Sequence, residues 1–192
     1  MIKIGFIRHG TTEWNLLGRM QGQMDTPLAE EGRTQALLLA HRLEFADWDG
    51  MLSSDLIRAQ ETAELVSRSS GIPFWGADAR LRERGFGEHE GTTLAERVER
   101  WGDNWRQVEV GREPIESVLA RWDSFFYDMG SNRKDKRVLI VSHGGFIEPV
   151  LVHRFGAEVP EHLANASLSV TVLDLAEWRC DLLNCTKHLE HK

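Results

Sequence analysis

Two hydrophobic periods alternate along this chain. The stretch IKIGFI (2–7) is almost continuously apolar, which predicts a strand buried on both faces, as in the middle of a parallel sheet. In EGRTQALLLAHRLEFA the apolar residues Ala36, Leu39, Ala40 and Leu43 fall at i, i+3, i+4 and i+7, one face of a helix. WDGMLSS then predicts a short strand, and DLIRAQETAELVSRSSG a second helix with an inner stripe of Ala59, Thr62, Ala63 and Val66. Ser53, Ser54 or Asp55 is its expected N-cap and Gly71 its expected stop. IPFWG reads as another short strand.

Residues 81–135 break the rhythm. They are rich in Arg, Glu and Trp, and predict a loop (LRERGFGEHEG), a helix near 93–108 and another at 116–130 with Val118, Trp122, Phe125, Phe126 and Met129 on one face. NRKDKR is a charged turn, VLIVS (138–142) a second buried strand, and SHGGFIEPVLVHRFG a turn into a helix. ASLSVTVLDLA and EWRCDLLNCTKHL form a closing antiparallel hairpin. The expected architecture is α/β: one domain over 1–192, a three-layer α/β/α sandwich on a mainly parallel sheet, with a helical cap inserted at about 84–135.

Composition changes this picture little. With 192 residues, 41% of them hydrophobic, the chain can bury about 70% of its extended surface and needs no disulfide or metal to fold. The net charge of −7 argues against nucleic acid or an anionic membrane as partner. It leaves room for a small anion held by a few arginines. No run of 18 apolar residues is present, and MIKIGFIRHG is broken by Arg8 and His9 too early for the core of a secretory leader, so the expected compartment is the cytoplasm. Cys180 and Cys185 suit neither a CxxC redox pair nor a zinc knuckle and read as reduced thiols.

The chemistry gathers at two strand ends. Arg8-His9-Gly10 follows the first buried strand and Ser142-His143-Gly144-Gly145 follows VLIVS. In parallel sheets ligands bind at the carboxyl ends of strands. Arg58, in the first turn of the helix after a strand, can reach the same crevice. Two guanidiniums beside two imidazoles match a phosphate best and a carboxylate second. One neutral imidazole can attack phosphorus while the arginines and the other imidazole hold the charge, with no metal or cofactor. The leaving oxygen needs a proton. Glu83 is the expected donor, with Glu88 and Glu90 nearby as alternatives.

Five blocks in order, FIRHGTTEWN, DTPLAEEGRTQA, SSDLIRAQETA, LRERGFGEHEG and VSHGGFI, resemble the histidine phosphatase superfamily in its phosphoglycerate-mutase-like branch, above all its small broad-specificity phosphatases. The resemblance implies that His9 is the phosphorylated nucleophile, that Arg8, Arg58 and His143 hold the phosphoryl oxygens, and that Glu83 is the proton donor. It implies further that Asn15 and the Gly144 amide contact the same group and that Thr12, Gln21 and Gly22 line the pocket mouth. Ala29 stands where the family often has a helix-capping Thr. PIESVLARW keeps Glu116 and Ser117 of a Gly-Glu-Ser block but has Ile115 in front. The implied activity is metal-independent hydrolysis of a small phosphorylated metabolite. The alternatives are a cofactor-dependent phosphoglycerate mutase and a catalytically silent phospholigand-binding module. Phe86, Trp101 and Trp105, with Arg97, Arg100 and Arg106 interleaved, could form an aromatic and basic lining that selects an organic phosphate; the favoured expectation is that the tryptophans pack the cap onto the sheet. Arg97, Arg100 and Arg106 are expected to pair with Glu96, Glu99 and Asp103.

Overall fold

The computed structural model describes residues 2–43, 47–132, 137–160, 162–174 and 177–190. Six strands, β1 (Ile2–Arg8), β2 (Gly50–Ser53), β3 (Phe74–Ala77), β4 (Arg137–Ser142), β5 (Leu168–Asp174) and β6 (Glu177–Cys185), form one sheet in the order β3-β2-β4-β1-β5-β6. β3, β2, β4 and β1 run parallel, and β5 and β6 close the sheet as an antiparallel hairpin beside β1. The fold is thus mixed α/β with a mainly parallel sheet.

The period of two divides each central strand between two cores. Ile4, Phe6, Val138 and Ile140 face a layer built from α5 (Ile115–Asn132) and α6 (Gly144–Phe155). Ile7, Leu139 and Val141 face the layer of α2 (Glu30–Arg42) and α3 (Ile57–Ser70). The stripes read from sequence on α2 and α3 are the buried ones. Gly71, at φ 78°, ends α3 in the left-handed conformation.

Several details differ from expectation. Leu56, not a serine or Asp55, is the N-cap residue of α3, and it makes no side-chain cap bond. The Ile57 amide instead donates to Asp25 Oδ1 at 2.7 Å, a carboxylate from a loop 32 residues earlier. Gly102 ends α4 (Leu94–Trp101) well before residue 108, and Trp105–Gln107 form a separate 3₁₀ turn. α5 is no cap helix: Val118, Trp122, Phe125 and Met129 lie inside the sheet's own core. The part standing away from the sheet is therefore shorter than 84–135. His188, expected in a frayed tail, is buried in a terminal 3₁₀ turn beside Arg42. Residues 133–136 of the charged NRKDKR turn and His191 lie outside the described residues. No helix among the described residues is long and apolar enough to cross a membrane.

Candidate active site

The parallel register of β1 and β4 pairs Arg8 with Ser142, so the next residues, His9 and His143, leave adjacent strand ends side by side. Their rings lie 5.2 Å apart, and the His9 amide donates to Ser142 O at 2.9 Å. His9 Nδ1 donates to Gly10 O at 2.7 Å. A carbonyl only accepts, so Nδ1 carries the proton and Nε2 the lone pair. The loop after His9 is locked from two sides. The Gly10 amide donates to Thr62 Oγ1 at 3.1 Å, and that hydroxyl donates to Arg58 O at 2.7 Å. On the other side α2 comes so close that a Cβ on Gly10 would meet Gly32 O at 2.5 Å and one on Gly32 would meet Thr11 O at 2.1 Å. Backbone meets backbone here, and only glycine fits at either place.

Arg58 is fully buried. Its two terminal nitrogens donate to Met24 O (2.8 Å) and Gly22 O (2.7 Å), which fixes the guanidinium plane. Arg8 is fixed by a bond from Nη1 to Leu163 O. Four buried nitrogens at this centre have no hydrogen-bond partner among the described residues: Arg8 Nε, Arg58 Nε and both ring nitrogens of His143. Buried polar atoms are otherwise almost always paired, so a cluster of four beside a positive pocket marks the seat of an anion.

Charge sorts the titratable groups. Burial, followed by Arg58 and Arg8, holds His9 well below the ordinary imidazole value of 6.5. Burial and then Arg58 do the same for His143. Burial pulls Arg58 down to about 10, which leaves it charged at neutral pH. Glu83 moves the other way: burial raises its carboxyl above 4.5 against the pull of Arg58. Its Oε1 accepts from the Arg84 amide at 2.8 Å and its Oε2 from the Gly145 amide at 3.3 Å, so the loop and the first turn of α6 both hold it. A Cβ on Gly145 would approach Glu83 Oε1 to 2.8 Å.

A cavity of about 590 Å³ opens over these groups. Arg8, His9, Asn15, Gln21, Gly22, Arg58, Glu83 and Gly144 line it. His143 stands directly behind the wall, fully buried. Thr12 does not line the mouth. It is the buried N-cap of α1 (Glu13–Leu16), and its hydroxyl donates to Gln21 Oε1 at 2.9 Å, so it positions Gln21 and Asn15 instead of touching a ligand. Of the two alternative acids, Glu90 accepts from the Phe86 amide at 2.8 Å, and neither it nor Glu88 lines the cavity. Sequence reasoning did not mark Glu148 and His162 as wall residues, because no motif contains them; Ile115, which stands where the family block has Gly, also lies on the wall.

The cap arginines do not make the expected glutamate pairs. Arg97 and Arg106 both sit over the Trp105 ring, 4.6 and 4.5 Å from its centre, and Glu96 pairs with Arg19 at 3.1 Å. Trp105 and Arg106 reach the cavity wall.

The family model described as "Histidine phosphatase superfamily (branch 1)" matches residues 4–186. The chain belongs to this superfamily. Among its histidine phosphatase relatives is the "Uncharacterized phosphatase PhoE" of Bacillus subtilis, 33% identical over 98% of this chain and 97% of the relative. A "Probable phosphoglycerate mutase GpmB" of Escherichia coli is 30% identical over 97% of this chain and 83% of its own length. The solved structure of a mycobacterial glucosyl-3-phosphoglycerate phosphatase complexed with VO3 superimposes with a TM-score of 0.85 at 30% identity, covering 95% of this chain and 98% of that one. As a histidine phosphatase, the chain is a phosphoric monoester hydrolase.

Proposed function

We propose that this protein hydrolyses a small phosphomonoester, without a metal, through a phosphohistidine at His9. The observation that carries the reading is the pairing of a neutral, lone-pair-bearing His9 with unpartnered Arg8, Arg58 and His143 nitrogens in one buried cradle. In the first step the Nε2 lone pair of His9 forms the N–P bond while the P–O ester bond breaks in line. Glu83 gives its proton to the departing oxygen. Arg8, Arg58 and His143 meet the charge on the equatorial oxygens, together with the Gly144 amide at the N-terminus of α6 and Asn15. In the second step Glu83, now a carboxylate, takes a proton from water. The water oxygen bonds to phosphorus, the N–P bond breaks and its electrons return to Nε2. The leaving group sits in the outer cavity against Trp105, Arg106, Ile115 and Glu148, a wall suited to a small organic phosphate.

The test is rapid quenching with a ³²P-labelled ester in EDTA. A base-stable, acid-labile phosphoryl group on His9 that His9→Ala lacks, with turnover unaffected by EDTA, is the expected result. Turnover surviving in His9→Ala removes the nucleophile. Loss of turnover in EDTA reassigns the chemistry to a metal. Transfer of the trapped phosphoryl group to a phosphoglycerate faster than to water makes the protein a mutase.

A further inference from the structure

A chain of amide groups runs from the nucleophile into α2. His9 Nδ1 donates to Gly10 O at 2.7 Å. That carbonyl belongs to the same peptide unit as the Thr11 amide, which donates to Gln35 Oε1 at 2.9 Å. The Thr11 hydroxyl donates to the same oxygen at 3.0 Å. At the far end Gln35 Nε2 donates to Glu31 Oε1 at 3.0 Å. The orientation of the Gln35 carboxamide is settled by its partners. The Thr11 amide can only donate and the Glu31 carboxylate can only accept, so Oε1 must face the loop and Nε2 the helix surface.

We infer that Gln35 is a positioning residue for the phosphorylation of His9, acting through the Gly10–Thr11 peptide. The inference rests on His9 being the nucleophile. An N–H that donates strongly leaves its own carbonyl more negative, and hydrogen bonds in series polarise one another. The Gly10 carbonyl is therefore a better acceptor for the Nδ1 proton when Gln35 holds the Thr11 amide. The ring becomes more electron-rich at Nε2. When phosphorus bonds there, positive charge spreads onto the ring and Nδ1–H donates more strongly, so the interaction tightens toward the transition state and raises the rate, not merely the affinity. A carboxylate commonly orients a catalytic histidine from behind. In this site the charged groups acting on His9 are Arg58 and Arg8, its ring neighbour is His143, and Nδ1 donates to a backbone carbonyl and to none of these. The amide series fills that role. Glu31 is exposed, so its charge reaches the ring weakly and the peptide–carboxamide bond carries the effect.

The experiment compares burst phosphorylation of His9 by p-nitrophenyl phosphate in the unchanged protein, in Gln35→Met and in the double variant Glu31→Gln/Gln35→Glu. Methionine keeps the length and helix propensity but offers no strong acceptor. The double variant restores an acceptor at position 35 and a donor at 31. Gln35→Met is expected to slow the burst about tenfold or more with KM little changed. The His9 Nδ1 proton should move upfield in the NMR spectrum, and the double variant should recover both. Burst rate and proton shift both unchanged in Gln35→Met overturn the inference while leaving the nucleophile in place. So does a loss that the double variant fails to recover while melting at the temperature of the unchanged protein. No phosphohistidine in the unchanged protein overturns the nucleophile itself, and the inference with it.

Discussion

At the residue scale the decisive contrast is between two buried groups pushed in opposite directions. Burial pushes His9 below the usual imidazole range and Glu83 above the usual carboxylate range. The first step needs the neutral imidazole and the protonated carboxyl together. Activity against esters with poor leaving groups should therefore persist below pH 6.5, the ordinary histidine value, and fall as pH rises past the raised Glu83 value. Glu83→Gln should slow such esters about 10²-fold and nitrophenyl phosphate far less, since nitrophenolate leaves without a proton. Equal slowing of both substrates would take the acid role away from Glu83. Arg8, His9, Arg58, Glu83 and His143 stand out in sequence because each sits beside a strand end or in a motif, whereas the titratable wall residues Glu148 and His162 lie outside the motif blocks. Thr12 was misplaced because a cap and a ligand contact both ask for a hydroxyl at a loop, and only packing distinguishes them. Gln35 falls inside the DTPLAEEGRTQA block but carries no charge and sits mid-helix, so its sequence neighbours do not reveal that it faces the His9 loop.

At the scale of elements, α2 and α3 hold the catalytic loop from either side. Asp25 caps α3, the helix that carries Arg58, through the Ile57 amide. Asp25→Ala should cost about 1 kcal/mol of stability and raise KM for phosphate esters, since the same loop accepts from Arg58 through Met24 O. Equilibrium unfolding and steady-state kinetics check the two effects. Gly32→Ala forces a methyl group onto Thr11 O, so it should cost about 1–3 kcal/mol and depress kcat through the displaced His9 loop. A fully active, equally stable variant would contradict the close approach. Buried strands and helix stripes could be read from periodicity alone. The cap of α3 could not, because its acceptor is 32 residues away. α5 was read as covering the site because its neighbours in sequence are Trp- and Arg-rich, yet its aromatic face is what the sheet needs on that side.

At the scale of the whole molecule, four histidines, His9, His89, His143 and His188, are each held below 6.5, with burial the leading cause. Their folded values lie under the unfolded one, so below about pH 6.5 the unfolded chain binds more protons and stability falls as pH drops. Glu83, raised by burial, gains a proton on folding and offsets part of this loss. Melting temperature should fall steadily between about pH 7 and 5, before ordinary carboxylates titrate. A flat profile would mean that the folded and unfolded chains bind equal numbers of protons across this range, against the lowered imidazole values.

The segment that stands off the sheet enters just after Glu83 and returns at Ile115, both of which border the cavity. Exchanging that stretch is therefore expected to change which esters fit, through Trp105 and Arg106, while the cradle of Arg8, His9, Arg58 and His143 beneath it and the wall residue Glu148 on α6 stay in place.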